Sequence, residues 1–231
     1  MCRLGLYFTV AGLGLSVATA CSSAHRPANV VLITVDSLRR DHLAYAGYAR
    51  PTSSSIDRLA REGVDFPNAF SAAGWTLPSM ASILSGHYPK DHGAVDFRSA
   101  LRAGLPTFAT ILRRDGYQTR GYVSHILLQS RYGVAQGFDL FDDSVVNLGH
   151  PHFSSTDDKL TDRVIAGLAD LKPPYFLWVH YFGPHYEYRE HKGWESFGSS
   201  DVGRYDQEIA FTDAQIGRLL AELPGSSIGE R

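Results

Sequence analysis

Hydrophobic and polar positions along this chain fall into blocks of two kinds. The first is the continuous apolar run. "NVVLITVD" (Asn29 to Asp36) stays apolar up to a terminal carboxylate, and "YFLWVHY" (Tyr175 to Tyr181) is apolar or aromatic apart from His180. Runs of this length suit strands buried on both faces of a parallel sheet. A shorter strand-like stretch, "YQTRGYVS", covers residues 117–124. The second kind of block has helical spacing. "SSSIDRLAREG" puts Ile56, Leu59 and Ala60 on one face and ends at Gly63. "LPTFATILRRDG" places Pro106 in a first turn, a Phe108–Ile111–Leu112 stripe behind it and Gly116 at the stop. "DDKLTDRVIAGLADL" (157–171) and "YDQEIAFTDAQIGRLLAEL" (205–223) are amphipathic helices of the same design. A further helix starts near Thr76: Pro78 sits in the first turn, where its missing N–H is not needed, and Gly86 is the stop.

Strands alternating with such helices predict an α/β fold, a parallel sheet flanked by helices on both faces. Ligands of these sheets bind beyond the carboxyl ends of the strands. The residues expected at that rim are Asp36 and Ser37, Ser124 and His125, and the stretch His180 to His185, with Thr76 at the head of its helix. A carboxylate, a hydroxyl and imidazoles on one edge are the ingredients of a metal-assisted site for an anionic substrate. Plainer readings stand beside this one. Thr76 is placed to cap its helix, Asp36 to cap a turn, and His180 reads equally as a core histidine. His185 follows Pro184 in an irregular stretch where packing gives it no role, so there the functional reading leads. His87, His92, His150, His152 and His191 read mostly as surface residues.

The 231 residues can bury one sizeable core as a single domain. With 22 Lys and Arg against 24 Asp and Glu, the net charge of −2 argues against a nucleic-acid partner. Residues 1–20 carry Arg3 and then an uncharged, largely apolar run to Ala20, the pattern of an export signal. Cys21 follows directly. Removal of the signal takes Cys2 with it and leaves a lone cysteine that cannot form an internal disulfide. Cys21 is therefore expected to be lipidated, with residues 21–28 as a tether, making a bacterial lipoprotein on the periplasmic or extracellular face of a membrane.

The stretch from Asn29 to Gly93, "NVVLITVDSLRRDHLAYAGYARPTSSSIDRLAREGVDFPNAFSAAGWTLPSMASILSGHYPKDHG", resembles the N-terminal half of the sulfatase family, in the alkaline-phosphatase superfamily. "GYQTRGYVSH", "GFDLFDD", "FLWVHYFGPHYEYR" and "YDQEIAFTDAQIGRLLAEL" follow as successive family blocks in order, out to Leu223. The resemblance implies an alkaline-phosphatase/sulfatase-like α/β fold and hydrolysis of sulfate or phosphate esters. It makes Thr76 and His185 catalytic, Asp36 and Thr76 metal ligands, and His180 and His125 substrate-binding. The implied cofactor is a divalent metal, calcium first, with magnesium, manganese and zinc as alternatives. Three positions depart from the family pattern. Thr76-Leu77-Pro78-Ser79-Met80 replaces the Cys-x-Pro-Ser-Arg signature, so no formylglycine is expected. Asp36-Ser37 replaces a pair of aspartates, and Val123-Ser124-His125 replaces a lysine-bearing block. Threonine-bearing relatives, among them phosphodiesterases, phosphonate hydrolases and phosphoethanolamine transferases, use the hydroxyl itself as nucleophile. The late acidic metal-ligand block of the family does not appear, so residues 29–231 are expected to form a catalytic domain truncated at its C-terminus. The alternatives are a non-catalytic, lipid-tethered remnant or binding protein, or a phosphoethanolamine-transferase-like enzyme.

Overall fold

The computed structural model describes residues 27–149 and 156–224. The export signal, Cys21, most of the tether, His150 and His152 lie outside the described residues.

The chain runs β1 (Val30–Val35), α1 (Ser54–Glu62), α2 (Thr76–Ser85), a single-turn α3 (Pro89–His92), α4 (Phe108–Arg114), β2 (Gln118–Val123), β3 (Leu140–Asp142), α5 (Asp157–Leu168), β4 (Tyr175–Tyr181) and α6 (Asp201–Glu222). The four strands form one parallel sheet in the order β1-β4-β2-β3. The apolar run of β4 makes it a central strand, and all seven of its residues are buried. Its side chains alternate between two cores, as period-2 geometry requires. Phe176 and Trp178 join Leu77, Met80 and Leu84 of α2 on one face. Leu177, Val179 and Tyr181 meet Leu160 and Val164 of α5 and Ile216, Leu219 and Leu220 of α6 on the other. The expected sheet with helices on both faces is the one found. β1 is equally apolar but lies at the sheet edge among the described residues, and each of its residues is only half-buried.

Several local expectations are corrected. A strand over residues 140–142, too short for an alternation to show, joins those expected from the sequence. Pro106 precedes α4 rather than entering its first turn. Thr107 is the N-cap, exchanging bonds with Thr110 in a reciprocal capping box (Thr110 N–H to Thr107 Oγ1, 3.1 Å; Thr107 N–H to Thr110 Oγ1, 2.7 Å). The stripe on α4 faces largely outward: Phe108 and Ile111 are exposed, while Ala109 is the buried residue. α6 begins at Asp201, capped by Ser200, four residues before its hydrophobic pattern starts. His92 is no surface residue. It is fully buried and bonded to the Ala94 N–H through Nδ1.

Candidate active site

The parallel register brings the rim together. Thr34 of β1, His180 of β4 and Val123 of β2 lie in one row across the sheet. One residue beyond β1, the Asp36 N–H continues the ladder to the Tyr181 carbonyl at 2.9 Å, fixing where its carboxylate starts. Ser37 then takes φ +53°, a left-handed conformation that costs a non-glycine residue about 1 kcal/mol or more. From there its hydroxyl donates to Asp36 Oδ1 at 2.9 Å.

Thr76 is the first residue of α2, with Trp75 as the N-cap, and its hydroxyl does not cap the helix. It donates to Asp36 Oδ2 at 2.8 Å instead. The capping role considered from the sequence is therefore not the one the side chain takes. Trp75 has no capping oxygen, so the first turn of α2 lacks a side-chain cap at the positive end of the helix dipole.

Two imidazoles complete the cluster. His125 Nε2 lies 3.4 Å from Thr76 Oγ1 and 3.7 Å from Asp36 Oδ2. Its Nδ1 accepts from the Leu127 N–H at 3.0 Å, so in the neutral ring the proton is on Nε2 and faces the cluster. His180 is a core residue whose ring also lines the candidate site. It is 1 % exposed, and its Nδ1 bonds the Thr34 hydroxyl at 2.8 Å. Thr34 in turn accepts from the Trp178 indole N–H at 3.0 Å. The buried His180 Nε2 has no hydrogen-bond partner and points toward Asp36 Oδ2 at 3.6 Å, too long for a hydrogen bond but close enough for Coulomb attraction. Burial alone would raise the Asp36 carboxyl. His180, His125 and the Thr76 hydroxyl outweigh it and hold the acid well below the usual carboxylate range.

His185 reaches the same place from the turn after β4. Its ring stacks on Phe182 (centroids 4.7 Å apart) and meets His125 edge-on at 5.7 Å. Thr76 separates two clefts. One of about 340 Å3 is bounded by Asp36, Ser37, Ser79 and His180. The other, about 440 Å3, opens past His125 and His185 onto Trp75, Phe97, Ile126 and Leu127.

The oxygen donors suit a hard divalent cation in kind: a carboxylate held ionised with a hydroxyl beside it. They are not a complete shell. Among the described residues no group of three or more His, Cys, Asp or Glu side chains is arranged to hold a metal ion. Sequence reasoning named Asp36, Thr76, His125, His180 and His185, and the fold assembles all five. It missed Thr34 and Trp178, whose roles follow only from the β1–β4 register.

The overall fold is shared with solved structures. Phosphonate monoester hydrolase of Agrobacterium radiobacter superposes with a TM-score of 0.72 at 19% identity, over 88% of this chain and 60% of that one. The C-terminal periplasmic domain of EptC from Escherichia coli, solved in complex with zinc, gives 0.66 at 18% identity over 87% and 60%. The sulfatase family model matches residues 28–228, and the chain belongs to the sulfatase family. Among curated relatives, N-acetylglucosamine-6-O-sulfatase of Bacteroides thetaiotaomicron is 26% identical over 178 residues, covering 69% of this chain and 31% of that protein. The chain thus spans about a third of that relative's length.

Proposed function

We propose that this protein hydrolyses sulfate or phosphate esters through the Thr76 hydroxyl. The observation that carries the reading is the 2.8 Å bond from Thr76 to a carboxylate held ionised at the head of a helix. An acid so depressed is a poor proton acceptor, so Asp36 suits orienting the hydroxyl and holding a cation rather than acting as general base. When bound there by Asp36 and Thr76, a divalent ion supplies positive charge that lowers the hydroxyl's pKa and offsets charge on the substrate. The head of α2 and the Nε2–H of His125, 3.4 Å from the Thr76 hydroxyl, favour an anionic group beside Thr76. In the proposed reaction the Thr76 oxygen bonds to phosphorus or sulfur while its hydroxyl proton passes through solvent to the departing ester oxygen, which leaves as the free alcohol. Water then attacks the phosphorus or sulfur, the Thr76 oxygen takes back a proton, and the acid is released. The alcohol portion would occupy the cleft walled by Trp75, Phe97 and Leu127. Export and lipidation at Cys21 would place this chemistry on the outer side of a membrane.

Incubation with a phosphodiester and with a sulfate ester, followed by tryptic mapping, should place a covalent adduct on Thr76. Thr76→Ala should abolish it, and His185→Ala should slow turnover by about a hundredfold, the loss of one transition-state donor at roughly 3 kcal/mol. An adduct on Ser79 or Ser82, or full activity in Thr76→Ala, would show the nucleophile to be another residue. The partial ligand set favours one second reading, a protein that binds anionic esters without turning them over. Binding of the esters with no adduct under any divalent ion would select it.

A further inference from the structure

Asp157 takes no part in this chemistry, yet it is a fully buried carboxylate whose two bonds come from neutral donors. It opens α5. Its Oδ1 accepts from the Gly183 N–H at 3.1 Å, and its Oδ2 accepts from the Thr212 hydroxyl of α6 at 2.6 Å. The backbone lies so close here that a Cβ on Gly183 would collide with both Thr212 Oγ1 and Asp157 Oδ2. Gly183 belongs to the turn that carries His185. The neighbouring Phe182 N–H is held by Ser124 Oγ at 3.0 Å, and Ser124 is anchored to the His180 carbonyl at 3.1 Å. Within the turn the His185 N–H bonds the Gly183 carbonyl at 2.8 Å. Any movement of Gly183 therefore carries His185 and its stacking partner Phe182 with it.

We propose that Asp157, clamped by Thr212, is a positioning residue for His185, reaching through the sheet-end turn from the side of the molecule opposite the cleft. The inference rests on the reading of His185 as a substrate-facing group, and the chemistry of the contact supports it. An ionised acceptor gives the strongest bond a lone amide can make, and it is costly to bury unless the geometry it imposes is needed. The ionisable groups facing Asp157 are Glu208 of α6, His191 of the following loop and Tyr181 of β4. None of them bonds its oxygens in place of Gly183 and Thr212.

The test reads the turn directly, in the full chain labelled with 13C-histidine and 15N-glycine. Asp157→Ala and Thr212→Val should shift or split the His185 ring signal, assigned by its loss in His185→Gln, and speed exchange of the Gly183 amide at least about tenfold. The His87 signal should stay put. Asp157→Asn should restore most of the wild-type pattern, because its amide oxygen still accepts from Gly183. If Asp157→Ala fails to fold, Thr212→Val and Asp157→Asn decide the matter. Folded variants with unchanged His185 and Gly183 signals overturn the proposal, as does a change spread equally to His87. Because no turnover is measured, a failure here is separable from a failure of Thr76 as nucleophile.

Discussion

The Thr34 hydroxyl joins the core to the site. Its oxygen accepts from the Trp178 indole at 3.0 Å and pairs with His180 Nδ1 at 2.8 Å, with the Val179 carbonyl a more distant acceptor for its proton at 3.4 Å. Thr34→Val keeps the shape and removes both bonds, stranding a buried indole N–H and a ring nitrogen. Urea unfolding should register a loss of about 2 kcal/mol; a change below about 0.5 kcal/mol would mean other groups satisfy them. No sequence pattern announces this relay. A threonine inside an apolar run reads as one more β-branched strand residue, and only the register sets it beside His180. Asp36, Thr76 and His185 were legible because each sits where packing alone does not ask for it: a strand end, a helix head and an irregular loop.

At the level of elements, α5 carries a pH dependence into the fold. Burial pushes the Asp157 carboxyl up to about 6, against the pull of Thr212 and Gly183. An acid whose folded pKa exceeds its unfolded value binds its proton more tightly when folded. Its favourable contribution is complete below about pH 4 and is lost as pH rises through 6. Asp157→Asn should remove that slope. Between pH 4 and pH 7 the stability of the wild type relative to the variant should fall by about 2 kcal/mol, at up to roughly 1.4 kcal/mol per unit. Equal pH profiles in urea titrations would show that Asp157 does not titrate in this range. From the sequence, an aspartate opening a helix is ordinary dipole complementation, so its burial against α6 had no signature. Helix periods and apolar runs did reveal the long elements. α4 misled because its short stripe is only half used, the capping box rather than the apolar face fixing where it starts.

Among the described residues the sheet has two edge strands, β1 and β3, around the central pair β4 and β2. β4 is enclosed by neighbours on both edges, whereas β1 has one among the described residues. Amide hydrogen exchange should therefore rank Tyr175–Tyr181 as the best-protected strand and Val30–Val35 well below it, despite their similar apolarity. Strand apolarity could be read from the sequence; position in the sheet could not, because it depends on which run pairs with which.

That edge has a further consequence, for the solution life of the protein. An uncharged, largely β-branched hexapeptide without proline, "VVLITV", has a strand partner on one side only among the described residues. This combination is the usual seed of intermolecular cross-β growth. Under mild heating at high concentration, the chain should form thioflavin-positive aggregates whose protease-resistant core contains residues 30–35. A resistant core mapping to β4 or α6 instead would show that global unfolding, and not the exposed rim of a folded sheet, starts the process.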